Sequence, residues 1–467
     1  MSHEQSIRPF LTHLEQQGEL LRIAKPVHLR HEIAAFLSAA DAGPALLFEN
    51  VSGASLKVVG NLLTSRTRVA QALGIEVGEI LPRLQRAIRE PVKPVRVTTA
   101  PVQEVIEQGS PLAGLPVPTF FEREHHPYIT AGVILARDPE SGRGNLSFAR
   151  FAILDERRAM IGIAPNHHLA LFARRAAAAG RPLPIAVAIG AHPAIQLAAC
   201  LYLGVGDDEL ECAGRLLGEP VRVVPTRTIE LVAPADAEVV LEGVIEPGRP
   251  IEEGLVSEFH GLYEDYGPGL LTIFSAQTRR ADALFQVIEP GYHREHMYLG
   301  ALPIAAALLH SLAAVVPNVR DVAVTEAGGG RTDVIVQVDA PRPGQARRAM
   351  YAVFAAVSLV KRVTVVDADI DPWDAGAVEW ARTNRMRMER DLLLLPLSGA
   401  DRSEPMEHGG TVTKVGFDAT AKGSDRVEGS ERALPPAAAR EAARRWLDQN
   451  VPAERRPWLK GPERNAR

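Results

Sequence analysis

Cysteine is nearly absent. The 467 residues contain two, Cys200 and Cys212, with no metal-like spacing and too few for a disulfide framework, so a reducing, cytoplasmic setting is expected. Aromatic residues make up only 5% of the chain, which argues against a stacking surface for single-stranded nucleic acid or carbohydrate. Positive charge is not in excess either: 52 Lys and Arg against 57 Asp and Glu leave a net charge of −5, and nothing electrostatic recommends nucleic acid or an anionic membrane as partner. No uninterrupted apolar run approaches the roughly 18–20 residues that span a bilayer, and Met1–Gln5 lacks a signal-peptide pattern. What is present is ordinary for a globular protein, with 46% hydrophobic and 23% charged residues. The length exceeds one core, so two or three domains are expected.

Ile7, Phe10, Leu11 and Leu14 recur at helical spacing and Gly18 supplies a stop. A second helix is expected over His31–Ala40, then strands at Ala45–Phe48 and Lys57–Val59 and helices at Arg66–Leu73 and Val77–Ile88. A Pro-rich crossover, Pro91–Pro118, leads into a different texture from about Tyr128. Ile129–Leu135, Leu146–Leu154, Ala159–Ile163, Ile185–Ile189, Val221–Val224, Thr228–Val232 and Val239–Leu241 are short β-type runs, interrupted by a helix at His168–Ala179. This pattern predicts a barrel or half-barrel, with Leu270–Ser275 and Phe285–Ile288 completing it. The third unit starts near Met297 with helix Leu299–Ala314 and strand Val322–Thr325, followed by a βαβ pattern over Val334–Val338, Ala346–Leu359 and Val363–Val366. Gly328-Gly329-Gly330 lacks the lysine and helix of a phosphate loop and reads as a flexible hairpin. After Asp391 the chain reads as polar and irregular, with one amphipathic helix at Pro435–Leu447 and a basic, Pro-containing end expected to fray. The fold class is α/β (α+β).

One stretch concentrates chemistry: Glu253-Gly254-Leu255-Val256-Ser257-Glu258-Phe259-His260-Gly261. Acids five apart with glycine between them suit a tight loop aimed into one cavity, where repulsion and desolvation separate their pKa values. Asn145-Leu146-Ser147-Phe148-Ala149-Arg150 places an amide and a guanidinium at odd separation, so a bend or bulge near Ser147 is needed for both to converge. Pro165-Asn166-His167-His168 opens a helix, where backbone N–H groups favour phosphate. Gly206–Gly214 contributes Glu209. Asn, His and Glu form a mixed oxygen and nitrogen set suited to Mn²⁺ or Mg²⁺, although each residue taken singly has a structural reading.

In this order the motifs resemble the UbiD family of prenylated-flavin-dependent decarboxylases over roughly residues 8–425. The series runs from Thr130-Ala131-Gly132 and Arg137–Gly142 through Asn145–Arg150, Glu209…Ala213-Gly214, Pro234–Gly243 and Glu253…Glu258…Gly261. It ends at Val366-Asp367-Ala368-Asp369-Ile370-Asp371 and Lys414–Thr420. The resemblance implies an N-terminal α/β segment (1–110), a split β-barrel that binds prenylated FMN (111–296), a C-terminal α/β oligomerisation domain (297–425) and a helix with a tail (426–467). It implies Asn145, His168 and Glu209 as ligands of a divalent ion, usually Mn²⁺, with K⁺ nearby. Ser147, Phe148, Arg150, His167 and Lys414 join those ligands around the flavin, and Arg150, Glu253 and Glu258 form the catalytic set. The activity implied is reversible, non-oxidative decarboxylation of an aromatic or heteroaromatic acid through a covalent substrate–flavin adduct, with Glu258 protonating the product in a neutral form favoured by an apolar site. A flavin prenyltransferase would supply the cofactor, and a homodimer or homohexamer is implied.

The family's Glu-Gly-Pro-Phe-Gly-Glu loop here reads Glu-Gly-Leu-Val-Ser-Glu, Ala149 replaces a frequent tyrosine, and Ala368 replaces an acid. The segment His293–Gly300 resembles that of members acting on small heteroaromatic acids, placing His296 near the substrate; its plain structural reading is a cap on helix Leu299–Ala314. Pro303-Ile304 stands where dicarboxylate-handling members tend to carry an arginine, which favours a monoacid over 2,5-furandicarboxylate. Two rival classes are an FMN split-barrel reductase, for which no Gly-x-Gly-x-x-Gly nucleotide motif is present, and a non-catalytic assembly subunit, which would not need Arg150, Glu253 and Glu258 together.

Overall fold

The computed structural model describes residues 4–421 and 433–452. The expected frayed end, 453–467, and the first residues of the expected terminal segment, 426–432, lie outside the described residues. The chain divides into two compact units, Met1–Ala307 with Glu326–Arg331, and Leu308–Thr325 with Thr332–Arg467.

The first unit carries a mixed sheet in the order Leu20–Ile23, Ala45–Phe48, Lys57–Gly60 and Leu284–Gln286. Helices Arg8–Gln16, Glu32–Ala39, Arg66–Leu73 and Ile80–Arg89 accompany it. Its last strand was expected in the barrel. It instead pairs in parallel with Lys57–Gly60 through Phe285 opposite Val58, because a three-residue strand is too short for its alternation to distinguish one sheet from another.

The larger sheet of this unit has nine strands curled into a half-barrel. At its centre Val239–Glu252 runs antiparallel to Pro268–Arg279, with register shifts between Glu242 and Gly243 and between Ile245 and Pro250. Such bulges bend and coil a sheet. Gly243 is required at the first: a Cβ there would lie 2.5 Å from the Ile273 carbonyl oxygen. Val239, Leu241 and Ile245 alternate into the core, where Phe151 meets Phe274 edge to face at 5.6 Å. The expected strand Thr228–Val232 shrinks to Val232–Pro234. The buried Glu242 carboxylate accepts the backbone N–H groups of Arg227 (2.8 Å) and Thr228 (2.6 Å) and pulls that segment into a turn.

The second unit is a five-stranded sheet in the order Val319–Val324, Asp333–Val338, Arg362–Asp367, Thr411–Asp418 and Leu392–Gly399. The βαβ crossover is present through helix Gln345–Ala356, with Asp333–Val338 and Arg362–Asp367 parallel. Ala323, Ile335, Val366, Ile370, Val378 and Ala381 form its core beside Trp373 and Trp380. The segment after Asp391 is not irregular. Leu392–Gly399 forms an edge strand against Thr411–Asp418, and half its side chains face outward, which blurs its alternation. The amphipathic helix lies at Ala437–Asn450.

Helix Arg294–Val315 begins five residues earlier than its apolar run suggests. It is 22 residues long with a window of mean hydropathy 1.7, but Arg294–His296 at its start and His310-Ser311 inside it keep its uninterrupted apolar run short of membrane-spanning length. Of that window 56% is buried inside the protein, as in a core helix.

Candidate active site

The long strand Val239–Glu252 delivers Glu253 at its end. Gly254 follows at φ +77°, a conformation open to glycine, and releases the chain into a hairpin of Leu255–Ser257 against Tyr263–Asp265. Glu258 sits at its turn, donating its N–H to the Leu262 carbonyl at 3.1 Å and accepting from the Gly261 N–H at 2.8 Å. Arg150 occupies the break between strands Gly144–Phe148 and Phe151–Ile153. The expected bend thus falls at Ala149–Arg150 rather than Ser147.

These three side chains converge. Arg150 Nε donates to Glu253 Oε1 at 2.7 Å, and its Nη1 lies 3.9 Å from Glu258 Oε2. Burial opposes the Arg150 charge, but Glu253 outweighs it and raises the guanidinium pKa above its ordinary value. Burial also pushes the Glu258 carboxyl up, yet the Arg150 guanidinium beside it holds it below the usual carboxylate range. The apolar site expected to favour the neutral acid thus also contains a cation that favours the carboxylate. Around the set lie groups the sequence did not flag. Tyr266 donates its hydroxyl to Glu258 Oε2 at 2.8 Å, and Arg150 stacks 5.6 Å from its ring centre. The Tyr128 hydroxyl is buried without a hydrogen-bond partner, and burial, then Glu253, raise its pKa. Glu124, 5% exposed, accepts from Ser257 N–H (3.3 Å), Ser257 Oγ (3.2 Å) and Phe121 N–H (3.2 Å).

Ser257 is one of the residues that departs from the family loop, and it ties that loop to Glu124. Ser257→Gly should remove one hydrogen bond to a buried carboxyl whose pKa burial already raises. A loss of about 1 kcal/mol in unfolding free energy is expected, read by urea titration. An unchanged midpoint would show that the serine does not brace the loop.

Asn145 and Glu209 also come together. Asn145 Nδ2 donates to Glu209 Oε1 at 3.0 Å, and the Leu146 N–H donates to Oε2 at 2.8 Å. Asn145 Oδ1 and Ser147 Oγ are buried without partners, and burial pushes the Glu209 carboxyl up to about 7. An orphaned oxygen beside a desolvated carboxylate is what a bound cation relieves, so the pair fits a metal site. His168 opens helix His168–Ala178 behind His167 at its cap, and Phe148 ends its strand half-buried. The described residues hold no cluster of three His, Cys, Asp or Glu side chains placed to grip a metal; the expected set has only two of those types. Lys414 belongs to the second unit, where its ammonium donates to the Ser358 carbonyl at 2.8 Å and burial lowers its pKa.

His296 lies in the first turn of helix Arg294–Val315, so it is not a cap on a later helix. Its Nδ1 is 3.0 Å from the Gly291 carbonyl. Burial, then Arg331, drive its pKa down to about 4, leaving it neutral near pH 7. Arg331 arrives on the Gly328–Gly330 turn, whose glycines are needed for close approach. A Cβ at Gly329 would lie 2.6 Å from the Phe259 carbonyl oxygen, and one at Gly330 2.5 Å from that of Met297. Arg331 Nη1 donates to the Gly330 carbonyl at 3.0 Å, and its guanidinium fills the space where Gly300 lacks a side chain.

A buried guanidinium between two carboxylates, with an orphaned amide oxygen beside a desolvated carboxylate elsewhere on the half-barrel, makes this a candidate acid–base site. Comparison with known proteins specifies the type. The chain matches the 3-octaprenyl-4-hydroxybenzoate carboxy-lyase N-terminal domain over 11–113, its Rift-related domain over 93–293 and its C-terminal domain over 297–419. It is 32% identical over 431 residues to the anhydromevalonate phosphate decarboxylase of Methanosarcina mazei, covering 92% of this chain and 99% of that one. The structure of the UbiD-class enzyme HmfF from Pelotomaculum thermopropionicum in complex with FMN superposes with a TM-score of 0.90 at 37% identity, covering 93% and 98% of the two chains. An apo 3,4-dihydroxybenzoic acid decarboxylase from Enterobacter cloacae gives a TM-score of 0.87 at 26% identity over 95% and 99%. The chain belongs to the UbiD family of carboxy-lyases.

Proposed function

We propose that the protein is a prenylated-FMN-dependent enzyme that reversibly and non-oxidatively decarboxylates a small aromatic or heteroaromatic acid. The observation that carries this reading is the Arg150–Glu253 ion pair with Glu258 at 3.9 Å. A carboxylate substrate entering beside Arg150 finds the one cation that both acids already share. As it engages the guanidinium it competes with Glu258 for Arg150's charge, which raises the pKa of Glu258 and allows it to take up a proton. After CO₂ leaves, Glu258 can deliver that proton to the carbon, while Glu253 keeps Arg150 aligned. Prenylated FMN, when bound, supplies the electron sink that side chains lack. Asn145 Oδ1, His168 and Glu209 would hold Mn²⁺ for its phosphate, with K⁺ nearby, and Ser147, Phe148 and His167 would complete the cradle. FMN and prenylated FMN are bound in solved structures of HmfF, the relative at 36–37% identity, which supports this assignment.

A second reading, 2,5-furandicarboxylate as substrate, is favoured by Arg331. Pro303-Ile304 argues against a second carboxylate site, but Arg331 reaches the His296 carbonyl at 3.4 Å from a distant segment, and its other hydrogen bonds go to the Met297 and Gly330 backbone carbonyls. The test is co-expression with a flavin prenyltransferase, then a CO₂-release screen over furan-2-carboxylate, 2,5-furandicarboxylate and 3,4-dihydroxybenzoate, with the reverse reaction at high bicarbonate. A prenylated-flavin mass with CO₂ from a monoacid supports the first reading, and CO₂ from the diacid alone supports the second. Plain FMN with NAD(P)H oxidation and no CO₂ would overturn both.

A further inference from the structure

Both oxygens of Glu258 are already engaged. Oε1 accepts the backbone N–H of Phe259 at 2.9 Å, and Oε2 accepts the Tyr266 hydroxyl at 2.8 Å. A backbone amide can only donate, and a protonated oxygen is a poorer acceptor than a carbonyl-type one, so neutral Glu258 keeps its bond to Phe259 best with Oε1 bare. The acidic hydrogen is then favoured on Oε2, facing Tyr266. A phenol can both donate and accept, and it is the one partner of Glu258 able to reverse its role.

We propose that Tyr266 is the positioning residue of the proton donor: it accepts the Oε2 hydrogen while Glu258 is protonated and donates back to Oε2 once the carboxylate re-forms. This deepens the decarboxylase reading and rests on it. In the transfer step the Glu258 O–H bond breaks and a C–H bond forms at the carbon that lost CO₂. The O–H electron pair stays on Oε2, where the Tyr266 hydroxyl meets it. Arg150 stacks on the Tyr266 ring, so the same side chain also borders the guanidinium that holds the substrate carboxylate. Tyr266 lies just past the strand Tyr263–Asp265, on the arm of the hairpin opposite Ser257. Its distance to Glu258 is therefore set by that short sheet rather than by a mobile tail.

The charged and titratable groups facing Glu258 are Arg150, His296 and Tyr266. Behind them lie Glu253, Tyr128 and Glu124 around Arg150, Arg331 beyond His296 and Glu264 beside Tyr266. Tyr266 bonds both forms of Glu258, but its bond to the carboxylate is charge-assisted and the stronger of the two, so removing it raises the pKa of that acid. Solvent-deuterium exchange into the decarboxylated product needs the carboxylate and fails as pH falls through that pKa. In Tyr266→Phe holoenzyme the acid limb of exchange should therefore move to higher pH by about one unit, with cofactor content unchanged. A limb that stays in place while the rate falls would reduce Tyr266 to a packing residue and overturn the inference.

A substrate-free measurement stands beside it. Burial, then the Glu258 charge, raise the Tyr266 pKa, so in Glu258→Gln one of the seven tyrosines should ionise at lower pH than in the wild type, followed by tyrosinate absorbance. Superimposable titrations would overturn the inference even if Tyr266→Phe does not fold. The decarboxylase reading fails separately, when wild-type holoenzyme releases no CO₂ and exchanges no deuterium while this titration still shifts.

Discussion

Glu258→Gln should retain cofactor and fold and lose turnover by about 10²–10⁴-fold, the range for removal of a general acid or base. The glutamine keeps the shape of the glutamate. Its oxygen can still accept from Phe259 N–H, and its NH₂ can donate to the Tyr266 oxygen, so the two bonds at 2.9 and 2.8 Å have replacements. What disappears is an exchangeable proton of usable acidity. The informative readout is deuterium exchange at the product carbon, which isolates proton transfer from the loss of CO₂. Exchange at the wild-type rate in this variant would remove Glu258 from proton transfer altogether.

Arg150→Met should be destabilising as well as inactivating, by about 3–5 kcal/mol. The Arg150 and Glu253 side chains are 18% and 1% exposed, so removing the guanidinium strands a carboxylate that water cannot reach. Arg150→Lys should rescue little, because an ammonium cannot reproduce the fork that meets Glu253 through Nε. The sharper test is the double variant Arg150→Met with Glu253→Gln. Removing both charges should recover most of the lost stability, read as the midpoint of guanidinium unfolding, and none of the activity. A single variant as stable as the wild type would show that Glu253 does not depend on Arg150 in the folded state.

The acidic loop was legible because its residue types and spacing are local. The glycines at 254 and 261 and the acids at 253 and 258 already described a tight turn, and the structure supplies one. The fold class was legible for a similar reason: short β-type runs broken by Gly, Pro and Asp, then a βαβ pattern. The Asn145–Glu209 pair was legible only through the ordered resemblance, since a 64-residue separation has no periodicity. Tyr266, Glu124 and Arg331 were not legible at all. Tyr266 meets Glu258 across a hairpin register, Glu124 meets Ser257 from 133 residues away, and Arg331 rides on a turn that looked like a plain connector. The pull of Arg150 on Glu258 was not legible either, because an acid near glycines and leucines looks merely desolvated until its guanidinium neighbour is placed.

The two acids of the Glu253–Glu258 loop rest on different supports. Glu253 ends the 14-residue strand at the centre of the nine-stranded sheet. Glu258 follows the first arm of a separate two-stranded ribbon. The anchoring of the ion pair and the placement of the proton donor are therefore separable in the chain. Substitutions at Leu255, Val256 and Ser257 can re-aim the donor while the strand that carries the arginine's partner stays as it is.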